Sequence, residues 1–356
     1  MRIEQLTFTR FIAAISIVIF HYGKNSFLFN NDFVSFVFRQ ANIGVSYFFI
    51  LSGFVMTIVY YQRKEFNIKQ YFINRFARVY PLYIFAIVLI LFIKFFRLIN
   101  INELILNVTM LQSWVPNMAL TLNYPGWSLS VELFFYICFP LIFKYLRNKS
   151  FNFSAVIILL FWITSQIFYQ LIALDKIGIP VYSIKDVQYQ PVFHLNEFLV
   201  GILTGLWFIK SSKQYTSNFT NTCLVVLLII VLIFLLKKPI DLSYHNGLLA
   251  IIFAPLIFLI STNKGVISIF FSSKVFVYLG EISYGIYLLQ YPIWKALSDY
   301  RLEKYFGITS NQSDNTLVFL LRLTVLILLA AFSFKFIESP MRNLIRKLNT
   351  TKYKRL

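Results

Sequence analysis

The chain has 356 residues, of which 58% are hydrophobic, 19% aromatic and only 13% charged. Its mean hydropathy of +0.70 lies far above that of soluble globular domains and excludes that class. The formal net charge of +19 fits the cation bias of inner loops and attraction to anionic membrane lipid, so no nucleic-acid partner is expected. We therefore predict an all-α, polytopic integral membrane protein.

Apolar stretches long enough to cross a bilayer follow one another along the chain. A hydrocarbon core of roughly 30 Å requires about 20 helical residues. This length predicts about ten transmembrane helices, near residues 6–23, 42–61, 79–98, 126–146, 152–173, 192–209, 219–236, 246–262, 275–297 and 316–338. The less apolar stretch 104–124 is predicted to be a short, partly embedded segment.

Lysine and arginine are concentrated in alternate connections between these spans, which predicts the orientation of the chain. With the amino terminus inside, the inner segments carry clearly more cations than the outer ones. We predict that both termini are cytoplasmic and that the protein resides in a cell membrane, the bacterial cytoplasmic membrane in particular. Residues 1–340 would form one membrane domain, followed by a basic cytoplasmic tail at residues 341–356.

The first span contains the stretch "RFIAAISIVIFH", with Arg10 and His21 at its ends. A charge inside a membrane costs from about 3 to above 10 kcal/mol, so both residues are functional candidates. Eleven positions of continuous α-helix return them to nearly one face, about 16 Å apart along the axis. This spacing indicates a cation near the inner rim and an imidazole near the middle of the membrane. The alternative is an arginine that extends to the interface and a histidine hydrogen-bonded between helices.

The fourth span opens with "WSLSVE", in which Ser128 and Glu132 are four residues apart, and Trp127 and Ser130 three apart. Helical spacing predicts two polar ridges that face the bundle. A carboxylate at this depth needs a partner, and pairing with His21 would fix the tautomer of the imidazole and suit it to act as a general base. The alternative is a structural hydrogen bond between helices.

Arg75 and Arg78 lie three residues apart in "YFINRFARVYP", before the third span. They form a two-pronged guanidinium face that suits phosphate recognition, although simple inner-side anchoring also explains them. Glu197 and Glu338 lie at the edges of spans, where we expect them to pair with loop or tail cations. His245 follows a predicted span in a loop and is expected to be solvated.

Several motifs, together with the Arg10 to His21 spacing, resemble the membrane-bound acyltransferase family 3 in family order over nearly the entire chain. They are "FFILSGFVM" at 48–56, "RFARVYP" at 75–81, "WSLSVELFFYICFP" at 127–140, "EFLVG" at 197–201, "LGEISYGIYLLQYP" at 279–292 and "FIESPMR" at 336–342. The resemblance implies transfer of an acyl group, most often acetyl, from cytoplasmic acyl-CoA to a hydroxyl of a cell-surface polysaccharide or its lipid-linked precursor. Acetyl-CoA would be the donor, and no metal is expected.

The resemblance also implies roles for individual residues. It makes His21 the catalytic histidine and places Trp127, Ser130 and Glu132 in the catalytic or acceptor site, where we expect Glu132 to orient His21. It assigns the coenzyme to three arginines, Arg10, Arg75 and Arg78. Trp127 and Ser130 would help to hold the thioester carbonyl or the sugar.

The chain departs from the family at two positions. The family often has a histidine where this chain has Gln290, and an arginine near the position of His194. Sixteen residues follow Pro340, so we expect a stand-alone form without the hydrolase-like extracytoplasmic domain of some relatives.

Two chemical routes stay open at this stage. His21 would either deprotonate a sugar hydroxyl that attacks the thioester directly, or accept the acyl group itself as a relay. A transporter or flippase component for a polysaccharide intermediate is the alternative function, because intramembrane polar residues also line transport pathways. A structural partner in a polymer-export complex is a third.

Overall fold

The computed structural model describes residues 3–63, 65–94, 100–180, 182–211, 218–308 and 316–353, and these ranges contain helices but no β-strand. The predicted all-α fold is confirmed. In chain order the α-helices are α1 (Gln5–Val18), α2 (Ser35–Phe38), α3 (Gly44–Tyr61), α4 (Ile68–Ile93), α5 (Ile101–Val108), α6 (Trp127–Arg147), α7 (Phe151–Ala173), α8 (Ile184–Tyr189), α9 (Leu195–Ser211), α10 (Asn218–Lys237), α11 (Ala250–Thr262), α12 (Val266–Phe271), α13 (Lys274–Ala296), α14 (Asp299–Phe306), α15 (Thr316–Ser333) and α16 (Ser339–Tyr353).

Within the described residues, eight helical segments are long and apolar enough to cross a membrane. They are Gln5–Gly23, Ala41–Tyr61, Ile68–Ile93, Tyr124–Arg147, Phe151–Ala173, Pro191–Ser211, Asn218–Lys237 and Thr316–Leu348. The other two predicted spans are also helical, but they differ from these eight. Helix α11 has only 13 residues, and α13 has 23 residues, among which two lysines, Glu281, Gln290, Ser283 and four tyrosines lower its hydropathy.

Two predicted boundaries differ in the structure. The third span, predicted from residue 79, begins at Ile68 because the side chain of Asn67 accepts a hydrogen bond from the backbone N–H of Gln70 and caps the helix. Its predicted last residues, 95–98, lie outside the described residues. The predicted tail continues from the last span as α16, and residues 354–356 of it are outside the described residues.

The stretch 104–124 forms no long helix. It contains the end of the eight-residue α5 and a 3₁₀ turn at Gln112–Trp114. Gln112 is fully buried, and its amide nitrogen donates to the carbonyl of Gly126 at 2.9 Å and to the hydroxyl of Tyr83 at 3.2 Å. The segment is short, as predicted, and its hydrogen bond to Gly126 holds the start of α6 in place; its position in the membrane stays a prediction.

Helices α3 and α9 make the most extensive contact between two described helices, and glycine lets them approach closely. A Cβ atom at Gly201 would overlap the carbonyl oxygen of Ile50, and one at Gly53 would overlap that of Phe198. The two backbones therefore approach as closely as in small-residue interfaces of membrane helices. Helix α1 packs mainly on α13, and α13 also packs on α15.

Two of the α-helices continue into a π-helical turn. Helix α1 continues into the π turn Ile19–Gly23, which contains His21, and α15 continues into the π turn Phe334–Glu338. Such turns widen the helix and are frequent at functional sites. Both turns place a polar residue inside the bundle.

Candidate active site

A cavity of about 410 Å³ lies between α1, α3, α4, α6, α13 and the start of α16. Its charged lining residues come from six different segments: Arg10, Arg75, Arg78, Glu132, Glu281, Glu338 and Arg342. Four arginines against three glutamates leave an excess of one positive charge in the wall. An anion is therefore the ligand that this wall favours.

The three arginines predicted to bind the coenzyme meet in this cavity. Among the described residues, the structure records no ion pair between a carboxylate and Arg10, Arg75 or Arg78. Arg78 is exposed to solvent, whereas Arg75 is half-buried with its guanidinium 5.8 Å from the ring centroids of Tyr60 and Tyr136. The buried Nε of Arg75 also has no hydrogen-bond partner in the described part of the chain. These guanidinium groups retain donors for a bound anion.

Glu132 lies in the same cavity wall, where its Oε2 accepts a hydrogen bond of 2.8 Å from the hydroxyl of Tyr136. It interacts electrostatically with Arg78 and Arg10. The structure therefore places this carboxylate among the arginines, and its hydrogen-bonded partner is one helical turn along α6.

His21 does not line this cavity, and the predicted pairing with Glu132 is not observed. Its Nδ1 lies 2.8 Å from Oε1 of Gln290, and its ring packs against Tyr124 with centroids 5.0 Å apart. The prediction assumed a continuous α-helix with His21 near its middle. The structure places His21 in the final π turn, which has more residues per turn and redirects the side chains.

Helix α13 connects the cavity to His21. Tyr287 lines the cavity, and its hydroxyl donates to Oγ of Ser128 at 3.0 Å. Its backbone carbonyl accepts a hydrogen bond of 2.7 Å from Nε2 of Gln290, the residue that contacts His21. The part of the cavity that Tyr287 lines is therefore one helical turn of α13 away from the partner of His21.

Only one of the two predicted polar ridges of α6 faces the cavity. Ser128 and Glu132 line it, but Trp127 and Ser130 do not. The Trp127 ring packs on His194 with centroids 5.4 Å apart, and Ser130 is fully buried, with no hydrogen-bond partner for its Oγ among the described residues.

Three further polar residues differ from their sequence-based expectations. Glu197 pairs with His194, whose Nδ1 lies 2.7 Å from its Oε2, and not with a loop cation. Glu338 is buried in the cavity wall, and its Oε1 has no hydrogen-bond partner in the described ranges. His245 is half-buried, with Nε2 3.2 Å from Nδ2 of Asn42. The position of Glu338 in a family motif was the signal for its place in the site.

A second, more open cavity of about 370 Å³ lies at the other end of α1. Phe20, the neighbour of His21 in the chain, forms part of its wall. The rest comes from the segment between α2 and α3 and from the connection between α10 and α11, and the polar and aromatic lining includes Arg39, Gln40, Asn42, Ser243, Tyr244 and His245. In the part of the chain that the structure describes, no group of three or more His, Cys, Asp or Glu side chains could hold a metal ion.

Comparisons with known proteins agree with the motifs. A family model described as an acyltransferase domain matches residues 3–335. The chain is 27% identical over 234 residues to the acyltransferase MdmB of Streptomyces mycarofaciens, covering 58% of this chain and 59% of that protein. It is 26% identical over 318 residues to the putative acetyltransferase ORF330 of Acidianus two-tailed virus, covering 86% of this chain and 84% of that protein.

The chain is also 24% identical over 365 aligned residues to the O-acetyltransferase OatA of Staphylococcus aureus, covering 94% of this chain and 56% of that protein. It thus spans little more than half the length of MdmB and OatA. No solved structure matches the chain.

Proposed function

Since this chain belongs to the membrane-bound acyltransferase family 3, we propose that it is an O-acyltransferase that takes an acyl group, most simply acetyl, from cytoplasmic acyl-CoA. The acceptor is a hydroxyl of a cell-surface polysaccharide or of its lipid-linked precursor. The protein acts as a multi-pass protein of the cytoplasmic membrane, with residues 1–340 as its catalytic domain and 341–356 as a basic tail on the inner side.

The observation that carries this proposal is the set of arginines in the cavity. Arg10, Arg75 and Arg78 face an open cavity, and none of them forms an ion pair with a carboxylate among the described residues. A guanidinium group binds phosphate through paired, charge-assisted hydrogen bonds. Coenzyme A carries its phosphates at one end and its thioester at the end of a long arm, so phosphates held by these arginines would leave the arm to extend along the cavity.

The cavity extends from Arg342 toward Ser128 and Tyr287, and it ends near the Gln290 to His21 contact. We place the thioester at that end. His21 then acts as the base, and Glu132 belongs to the wall that faces the coenzyme instead of orienting His21. The roles of Trp127 and Ser130 in holding the acceptor stay predictions, since neither lines the cavity.

The acceptor approaches through the second cavity, near Phe20. Amide, hydroxyl, imidazole and aromatic side chains in its wall suit a hydroxyl-rich ligand such as a sugar. Two cavities at opposite ends of α1 agree with a reaction in which donor and acceptor arrive from opposite sides of the membrane.

In the direct route, His21 takes the proton of the acceptor hydroxyl and the oxygen forms an ester bond with the acyl carbon. The carbon–sulfur bond breaks, and the thiolate of coenzyme A leaves and receives the proton. In the relay route, a nitrogen of His21 attacks the acyl carbon, the carbon–sulfur bond breaks and the thiolate of coenzyme A leaves; the acceptor hydroxyl then attacks the acylated imidazole, its proton passes to the thiolate, and the free imidazole is restored. Rapid denaturation at neutral pH of purified protein mixed with radiolabelled acetyl-CoA, without an acceptor, distinguishes the two routes, because only the relay leaves label on the chain and an acyl-imidazole is lost in acid.

The test of the function is consumption of acetyl-CoA by the purified protein with candidate glycans, measured as release of free coenzyme A. We expect release that depends on the acceptor and disappears in His21→Ala, while that variant binds coenzyme A with the affinity of the wild type. A wild-type protein that neither binds nor consumes acetyl-CoA would contradict the proposal and favour the transporter alternative. Turnover in His21→Ala would remove His21 from the mechanism.

A further inference from the structure

Gln290 is the polar side chain that the structure brings to the ring of His21, from a position 269 residues away in the sequence. It is fully buried in the second half of α13. A buried amide that made no hydrogen bonds would be costly, so each of its two polar atoms needs a partner of the right kind.

The backbone around Gln290 determines the orientation of its amide. The carbonyl oxygen of Tyr287 lies 2.7 Å from one polar atom of this amide, and a carbonyl can only accept. The atom facing it is therefore the NH₂ nitrogen, Nε2. The amide oxygen, Oε1, must then face His21, whose Nδ1 is 2.8 Å away.

This orientation determines the tautomer of His21. An amide oxygen has no proton to donate, so Nδ1 must carry the hydrogen of the contact. In a neutral imidazole the other nitrogen, Nε2, is then unprotonated. Among the described residues no hydrogen bond to His21 Nε2 is recorded, so its lone pair is available.

We infer that Gln290 is a positioning residue that holds His21 as the Nδ1–H tautomer. Its amide links the carbonyl of Tyr287 to Nδ1 of His21, so Nε2 of His21 keeps a free lone pair for the reaction. The inference rests on the proposed function. A neutral amide holds the tautomer without adding the negative charge of a carboxylate, which would favour the protonated imidazole. In the direct route Nε2 takes the hydroxyl proton; in the relay route it attacks the acyl carbon.

The neighbouring backbone makes this arrangement rigid. Pro292 has no N–H, so the carbonyl of Leu288 lacks the donor it would have four residues later in a regular helix. The side-chain amide of Asn123 donates to it at 3.2 Å. Helix α13 is thereby fixed to the segment that precedes α6, and Tyr124 from the same segment packs on the His21 ring.

The direct test is ¹⁵N NMR of the full-length protein labelled on histidine, in detergent. The chain has three histidines, and the His21 signals are those lost in His21→Ala. We expect a protonated Nδ1 and an unprotonated Nε2 at pH 8 in the wild type, and a mixture of tautomers in Gln290→Met. An Nε2–H tautomer in the wild type overturns the inference, with or without any measured activity.

Kinetics supply the second test. Gln290→Met should lower kcat by about 10- to 100-fold with little change in KM for either substrate. Gln290→Glu, of equal size, should move the acidic limb of the pH–rate profile up by about one pH unit, because a carboxylate favours the protonated imidazole. Gln5→Met is the matched control, because the amide of Gln5 on α1 also donates to backbone carbonyls, those of Ile260 and Ser261, and does not contact His21. The pH–rate profile of Gln5→Met should equal that of the wild type.

The outcomes separate the two proposals. If His21→Ala is inactive while both Gln290 variants keep the wild-type kcat and pH profile, the positioning role is wrong and the proposed function stands. If the wild type transfers no acyl group, the proposed function fails, and the tautomer measurement still decides what Gln290 does to His21. If Gln290→Met does not fold, Gln290→Glu and the wild-type spectrum decide.

Discussion

The hydroxyl of Tyr136 donates a hydrogen bond of 2.8 Å to Glu132, one helical turn earlier on α6, and so holds this carboxylate in the wall shared with Arg10 and Arg78. Because Glu132 has this partner and His21 has Gln290, the two predicted catalytic residues are held separately. The negative charge of Glu132 acts on the arginines, and the consequences of removing it should appear in coenzyme binding.

We expect Glu132→Gln to tighten binding of coenzyme A several-fold, because glutamine keeps an acceptor for Tyr136 and removes a negative charge beside the arginines proposed to bind phosphate. Titration calorimetry in detergent measures the Kd. The acidic limb of the pH–rate profile should stay where it is in the wild type. Weaker binding of coenzyme A would show that Glu132 contacts the donor directly. A shift of the acidic limb would show that Glu132 acts on His21.

Arg75→Ala and Arg78→Ala should each raise the Kd of coenzyme A by about 10- to 150-fold, since a charge-assisted hydrogen bond contributes about 1.5 to 3 kcal/mol. The lysine variants should fall between, because an ammonium group cannot form the paired contact. Arg147→Ala is the control, as Arg147 lies at the end of α6 outside the cavity and stacks on Tyr61. Equal Kd values for all these proteins would leave Arg75 and Arg78 as membrane anchors only.

The sequence predicted well those features that depend on neighbouring residues. Arg75 and Arg78 share a helix face because they are three residues apart, and the apolar runs became helices. The ridge of Ser128 and Glu132 was predicted for the same reason. Local periodicity is a property of one helix, so one sequence is enough to read it.

Features that depend on two distant segments were not predictable. The partner of His21 comes from α13, and the π turn that redirects the histidine has no sequence pattern that distinguishes it from an α-helix. The carbonyl of Tyr136, freed by Pro140, accepts a hydrogen bond from Tyr71 on α4, which could be found only once α4 and α6 were packed.

Gly201→Ala should destabilise the folded protein by about 1 to 3 kcal/mol or abolish its folding, because the added methyl group overlaps the carbonyl of Ile50 and forces α3 and α9 apart. Gly178→Ala is the matched control, since a Cβ there meets no atom within 4 Å. Thermal unfolding in detergent compares the two. Equal stability of both variants would show that the α3–α9 contact can relax without cost.

His245 makes the stability of the protein depend on pH. Its burial, together with the neighbouring His194, lowers the pKa of His245 from 6.5 to about 4. The unfolded chain therefore binds a proton between these pH values that the folded chain does not, so stability is full above pH 6.5 and falls as the pH drops toward 4.

The acid-induced loss in the free energy of unfolding should be smaller in His245→Gln by up to about 3 kcal/mol. Glutamine does not titrate, and its oxygen can still accept a hydrogen bond from Asn42. Unfolding temperatures at pH 4.5 and 7.5 test the prediction, and the difference between the two should be smaller in the variant. If the variant loses as much stability in acid as the wild type, groups other than His245 cause that loss.

The sidedness of the two cavities can be tested with single cysteines in a background lacking Cys138 and Cys223. Asp32 is exposed in the connection between α1 and α3, at the end of the bundle with the second cavity, and Asn148 is exposed between α6 and α7. If donor and acceptor arrive from opposite sides, Asp32→Cys should react with an impermeant thiol reagent in intact cells. Asn148→Cys should react only after the cells are permeabilised. Labelling of both from the same side would place the ends of α1 and α6 on one face of the membrane, and the acyl group would then have no membrane to cross between the cavities.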